Sequence, residues 1–252
     1  IRPTAASVEN LHLVSDGTAD IGFSLGDAAS DAVRGSGAFS EPLDVVALAR
    51  TYDSFVHLVV PADSPVREVG DLRDRRVGVG VPGSGTRVIA LRVLARAGVP
   101  LEEVEVAGDS LVASAAALRA GRLDAFFFVS GLPNEAVRSL SEATPIRLVD
   151  LGDLVGAMTG RFGPEYAAGP VPASTYGLPG AVDTVAVKNY IVVNPEMPRD
   201  VAYAVTRVMF EAQAEIERLA PGVRQPNLGA AIFTSPLDLH PGSLRYYRER
   251  HP

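Results

Sequence analysis

The stretch "VGVGVPGSGT", residues 77–86, holds the densest set of anion-binding residue types in the chain. Gly78, Gly80 and Gly83 have the G-x-G-x-x-G spacing of a dinucleotide loop. In that motif the helix begins within the glycines, and the pyrophosphate meets its N-terminus. Here Gly78 and Gly80 alternate with valines, as in a strand, and the break falls later, at Pro82-Gly83. Glu102 and Glu105 lie near the distance expected of a ribose-binding acid, which keeps that reading open. A Walker loop is excluded, because no Gly-Lys-Ser/Thr follows. A second reading is a carboxylate site. Gly83-Ser84-Gly85-Thr86 turns a strand end into a helix whose first N–H groups are unpaired and partly positive. The glycines let a ligand approach the backbone, and the Ser84 and Thr86 hydroxyls add donors. A third reading is a Ser- or Thr-capped helix with no ligand.

Other chemistries find little support. The chain has no cysteine, which removes thiol catalysis, thiolate metal sites and disulfides. Lys188 is the only lysine, so a catalytic lysine has a single candidate. His12, His57, His240 and His251 are scattered without ligand spacing, and no metal site is expected. A net charge of −7 argues against nucleic acid as a partner. No cofactor and no catalytic residue is expected.

The elements that would position the loop follow from the apolar pattern. The 252 residues, 47% hydrophobic and 21% charged, suit an α/β protein of one large domain or two lobes. No run of about 18 apolar residues occurs, so no membrane span is expected. Nor is an export signal expected within these residues. Ser7 is read as the cap of a first helix reaching Ser15, with Glu9 in its first turn and Gly17 closing it. "ADIGFSL" (19–25) reads as a strand, followed by a helix from Asp27 to Arg34. The same plan returns later. Ser110 caps a helix that Gly121 ends, and Asp124 opens the strand "AFFFVS". Both passages share Gly-x-x-Asp before the strand: Gly17 with Asp20, Gly121 with Asp124. Two units of one design point to two similar lobes, although Gly-x-x-Asp is also a common αβ turn.

Between and after these units the pattern gives strands near 45–50, 55–60 and 77–81, and a helix over 86–97. A short strand at 104–106, a helix near 134–142 and the strand "IRLVDL" (146–151) follow. The Gly- and Pro-rich residues 160–181 read as a long surface excursion. A strand over 184–193 precedes a helix over 199–219. Val201, Val205, Val208, Met209, Ala212, Ile216 and Leu219 of that helix are spaced for one buried stripe. "LHPGSLRYYRER" reads as a closing helix.

Longer stretches carry more. "SVENLHLVSDGTADIGFSLGDAA", "HLVVPADSPVREVGDLRDRRVGVGVPGSGT", "ALRAGRLDAFFFVSGLPN" and "LHPGSLRYYRER" resemble, in order, the TAXI-type solute receptors of TRAP transporters. The resemblance implies a two-lobed type II periplasmic-binding-protein fold, each lobe a sheet flanked by helices, with the ligand held in the cleft. Lobe 1 would comprise 1–60 and 190–252, lobe 2 would comprise 66–184, and the crossovers would fall near 57–65 and 184–193. It implies a monomeric extracytoplasmic receptor that hands a small carboxylate or a glutamate- or glutamine-like amino acid to membrane permease subunits. Family members open with a strand and a glycine-rich loop that do not precede Ile1 here, so the first lobe is expected to lack them.

Carried over by position, Ser84, Gly85 and Thr86 would grip a carboxylate, and Ser7 and Asn10 would face it from the first lobe. Ser24 and Asp27 follow the first repeat strand; Asp27 would take an ammonium group or simply cap its helix. Tyr52, placed between two strands, would cover an aliphatic chain or pack. Ser130, Gly131 and Asn134 would supply the second lobe's other contacts, with Asn134 alternatively a helix cap. Two rival classes stay open: a sensory ligand-binding domain of the same fold, and a small-molecule enzyme on this scaffold.

Overall fold

The computed structural model describes residues 1–219 and 228–250; His251, one of the four histidines, lies outside them. The chain divides into two compact units, residues 1–53 with 188–252 and residues 54–187.

In the first unit, α1 (Ser7–Ser15) leads into β1 (Ile21–Leu25) and α2 (Gly26–Arg34). Gly17 takes φ +74° after α1, and Gly35 takes φ +61° after α2, the left-handed stops that glycine supplies cheaply. Ser7 is not the cap of α1. It is the first helical residue, and its hydroxyl accepts from Leu25 N–H at 3.1 Å. Glu9 instead reaches back to accept from Ala5 N–H at 2.6 Å.

A long strand, β2 (Val46–Pro61), follows. The two strands expected at 45–50 and 55–60 are thus one. Thr51, Tyr52 and Asp53, which read as a polar break, continue the extended backbone. Thr51 Oγ1 donates to Asn189 O, and Asn189 Nδ2 donates to Tyr52 O, so polar residues here tie the strand rather than end it.

The second unit starts within β2. It contains β3 (Arg76–Gly78), α3 (Gly85–Arg96), β4 (Glu105–Ala107), α4 (Leu111–Arg119), β5 (Ala125–Ser130) and α5 (Glu135–Ala143). Then come β6 (Ile146–Leu148), α6 (Val155–Phe162), β7 (Tyr166–Val171) and the first part of β8 (Val182–Val193). β4 and β5 flank β3 in parallel, with Val77 opposite Val106 and Ala125. β5 also runs antiparallel to β2, with His57 opposite Phe128. The core packs Phe126, Leu118, Val137 and Leu140 beneath this sheet.

Two expectations fail in this unit. The Val-Gly alternation does not extend the strand to residue 81. β3 stops at Gly78 because Gly80 turns to φ +85°, a conformation that would strain any side chain. Residues 160–181 are no mere surface excursion. They hold the end of α6 and all of β7, which pairs antiparallel with β8 from Tyr166↔Val187 to Val171↔Val182. Tyr166, Val171 and Tyr176 are buried there.

β8 then enters the first unit, where Ile21↔Val193 through Leu25↔Asn189 pair it antiparallel with β1. The final helices are α7 (Arg199–Glu211), α8 (Gln213–Leu219), α9 (Leu228–Ala231) and α10 (Pro241–Arg250). The single helix expected over 199–219 breaks at Ala212, and its apolar stripe is the buried face only in part: Val205 and Met209 pack against the core. Val201 and Val208 are exposed, while Ala202 and Thr206 are fully buried. The reason is a close crossing with α10. A Cβ on Gly242 would lie 2.2 Å from Arg199 O, and Thr206 Oγ1 and Ser243 Oγ share a buried hydrogen bond of 2.7 Å. Small residues make the closest approach, and beside them Tyr203 and Phe210 of α7 pack against Tyr246 and Tyr247 of α10.

Candidate functional site

The parallel strands β3, β4 and β5 end on one side of the second unit, so the segments after them, 79–84, 108–110 and 131–134, gather at the same end of the sheet. That end is where open α/β sheets place ligands. The first two of these segments also approach each other. Val79 N–H donates to Ala107 O, and a Cβ on Gly108 would lie 3.7 Å from both Pro82 Cδ and Arg87 Nη1.

Within this corner the glycine loop has a specific build. Gly78 is required by packing, since a Cβ there would sit 2.9 Å from Phe126 Cβ. Gly80 and Gly83 take φ +85° and +81°. The helix begins only at Gly85, beyond the three glycines of the G-x-G-x-x-G spacing. The dinucleotide motif, whose helix starts inside the glycines, is therefore not reproduced. Ser84 is the N-cap of α3. Its Oγ accepts from Arg87 N–H at 3.1 Å and donates its hydrogen to Val81 O at 2.7 Å. The Ser84 hydroxyl is thus spent on the loop itself and has no hydrogen left for a ligand. Three donors remain. The N–H groups of Gly85 and Thr86 and the hydroxyl of Thr86 meet no partner among the described residues. They open a helix of 12 residues, at its positive end.

Arg87 was missed in the sequence. It is half-buried, its Nη1 makes one long contact of 3.5 Å to Gly80 O, and it forms no ion pair among the described residues. A guanidinium beside open helix N–H groups can grip a carboxylate or sulfonate with charge-assisted hydrogen bonds. The available signal is its place directly after Thr86, in the first turn of α3.

Ser130, Gly131 and Asn134 follow β5 at the same end. Ser130 Oγ donates to Gly131 O at 3.0 Å. Asn134 is the N-cap of α5, its Oδ1 accepting from the N–H groups of Ala136 and Val137. The Asn134 N–H donates to Tyr176 Oη at 2.9 Å.

In the first unit, Ser7, Asn10 and Ser24 gather around the start of α1 and the end of β1. Asn10 Nδ2 donates to Phe23 O, its Oδ1 accepts from Thr4 Oγ1, and Ser24 Oγ donates to Leu25 O. Asp27 is almost fully buried in the first turn of α2; the helix starts one residue earlier, so Asp27 is not the cap. Tyr52 is half-buried in β2 rather than between two strands, and burial raises its pKa. The hydroxyls of Ser7 and Ser24 and the amide of Asn10 already hold local structure, unlike the N–H groups of Gly85 and Thr86 and the Thr86 hydroxyl.

No group of three or more His, Asp or Glu side chains spaced for a metal occurs among the described residues, and none of their helices is long and apolar enough to cross a membrane.

The sequence pattern of the NMT1-like family matches residues 1–250. The chain belongs to the NMT1-like family. Solved structures resemble this NMT1-like chain at low identity. A Xanthomonas citri protein bound to ATP is 16% identical, with 98% of this chain and 81% of that one covered and a TM-score of 0.57. A protein of Bordetella bronchiseptica RB50 is 18% identical over 98% and 78%, at 0.56. The alkanesulfonate-binding protein SsuA from Xanthomonas axonopodis pv. citri, bound to MOPS, is 19% identical over 97% and 71%, at 0.50. At these identities the likeness is one of fold. The NMT1-like chain shares the mixed α/β architecture of solute-binding proteins, an open sheet flanked by helices.

Proposed function

We propose that this NMT1-like protein is an extracytoplasmic solute-binding receptor for a small organic acid, and that it catalyses no reaction. The observation that carries this reading is the donor set at the start of α3. Gly85 N–H, Thr86 N–H and Thr86 Oγ1 have no partner among the described residues, and the Arg87 guanidinium, which reaches Gly80 O of the same loop, pairs with no carboxylate among them. A carboxylate placed there would gain several hydrogen bonds to charged or dipole-backed donors, each worth roughly 1.5–3 kcal/mol. Nothing in that corner resembles a nucleophile with its base.

The finer reading follows the resemblance of the long collinear stretches: a TAXI-type receptor serving the permease of a TRAP transporter, with a glutamate-like amino acid or a dicarboxylate as ligand. Ser130, Gly131 and Asn134 of the second unit, and Ser7, Asn10, Ser24, Asp27 and Tyr52 of the first, are proposed to contribute further contacts. Asp27 is the group of the right sign for an ammonium. A second reading is favoured by Arg87. A guanidinium with two N–H groups also suits a sulfonate, the ligand class in the name of the SsuA relative.

A thermal-shift screen tests both readings. Amino acids, dicarboxylates and alkanesulfonates are each added to the protein. A ligand at about 100 times its Kd stabilises by roughly 2.7 kcal/mol. A shift with glutamate or a dicarboxylate supports the carboxylate reading; a shift confined to sulfonates replaces it with the second; no shift with any anion sinks both.

A further inference from the structure

His57 is fully buried in the middle of β2, yet its ring is wired to the surface segment after β5. Its Nδ1 lies 2.9 Å from Phe55 O, an atom that can only accept, so Nδ1 carries the hydrogen. The Phe128 backbone on the opposing strand also hydrogen-bonds the ring. Nε2 of the neutral ring is then a bare acceptor, and Tyr176 Oη sits 2.9 Å away and donates to it. Tyr176 Oη in turn accepts the N–H of Asn134, the cap of α5. Every member of the line, from the Phe55 carbonyl to the Asn134 amide, therefore has one defined direction of donation.

We propose that neutral His57 is a positioning residue: through Tyr176 it holds the Asn134 cap and the 131–134 segment in place, and protonating His57 releases them. The consequence for ligand binding rests on the reading that this segment touches the ligand. The physical step is simple. A proton added at Nε2 turns an acceptor into a donor aimed at Tyr176 Oη. That oxygen would then face two N–H donors, and its own hydrogen would lose its partner. The groups facing the ring are Tyr176 from the segment after β7, the Phe55 carbonyl of its own strand and the Phe128 backbone of β5. Tyr176 is the only titratable side chain among them, and no charged group acts on the ring. Burial itself disfavours the proton.

Nitrogen-15 NMR of the labelled protein at pH 7 decides the proposal. The expected spectrum has the His57 hydrogen on Nδ1 and a bare Nε2. In Tyr176→Phe the His57 tautomer should persist, while hydrogen exchange at the Asn134 amide quickens by about tenfold or more. On acidification the Asn134 amide shift should follow the His57 titration curve in the wild type and cease to follow it in Tyr176→Phe. A hydrogen on Nε2 at pH 7, or unchanged Asn134 exchange in Tyr176→Phe, overturns the proposal. Titrating glutamate into both proteins keeps the two claims apart. Weaker binding in the variant supports the link to the ligand; failure of glutamate to bind the wild type counts against the functional reading and leaves the relay to be judged on the spectra.

Discussion

At the scale of single residues, the start of α3 separates groups that build the loop from groups left over for a ligand. Ser84 builds. Ser84→Ala removes an N-cap that also ties Val81, and should cost about 1 kcal/mol of stability in chemical denaturation. Its effect on glutamate affinity should be smaller than that of Arg87, because its hydrogen is committed to the loop. Arg87 is left over. Arg87→Gln removes a charge without breaking an ion pair, so stability should stay within about 0.5 kcal/mol. Affinity measured by calorimetry should fall roughly tenfold or more, the loss of one charge-assisted hydrogen bond. Ligand binding unchanged in Arg87→Gln but abolished in Ser84→Ala would reverse these roles. The sequence made Ser84, Gly85 and Thr86 legible as a helix opening. It could not reveal that Ser84's hydrogen was spent, since Val81 O becomes its acceptor only once Gly83 has taken a positive φ.

At the scale of elements, glycines set the geometry that side chains later use. Gly80→Ala places a Cβ 2.9 Å from Thr86 Cγ2 on a backbone at φ +85°. It should destabilise by roughly 1–2 kcal/mol and weaken the ligand by displacing Thr86. Gly242→Ala drives a Cβ into Arg199 O at the crossing of α7 and α10 and should cost about 1–3 kcal/mol or more, with no direct effect on the second unit's donors. Element types were readable wherever a cap and a stop enclosed them. Ser110 with Gly121 marked α4, and Asp124 marked the start of β5, where it accepts from the backbone and side chain of Arg76. They were not readable where pairing overrode local signals. Thr51 and Tyr52 continue β2 because Asn189 of β8 takes up their hydrogen bonds, and Asp53 pairs with Arg50 of the same strand. Gly169 and Pro170, which looked like loop residues, lie in β7, where Gly169 makes room for the ring of Phe55. The stripe of α7 was right for Val205 and Met209, which pack on the core, and misled at Val201 and Val208, because the closest approach to α10 is made on the face of Ala202 and Thr206.

At the scale of the whole molecule, acid should be the condition that discriminates. Burial holds the His57 pKa down to about 4, against 6.5 for the free side chain. Below pH 6.5 the unfolded chain takes up a proton that the folded protein refuses. The neutral ring's contribution is therefore complete above pH 6.5 and is lost as the pH falls to 4, roughly 3 kcal/mol in all. Denaturant midpoints measured across that range should fall accordingly, and His57→Gln should flatten the decline. The mixed α/β class was visible in the repeated helix–turn–strand plan, because those elements carry their own punctuation. The ligand was not visible, because the donors proposed to recognise it include backbone N–H groups that every sequence possesses and only a fold leaves open. The most direct test is therefore to watch those groups. Amide resonances of Gly85 and Thr86 should move on titration with glutamate or a dicarboxylate, saturate with one Kd, and lose that response in Arg87→Gln. A ligand that binds and stabilises the protein while leaving both amides unmoved would contradict the account.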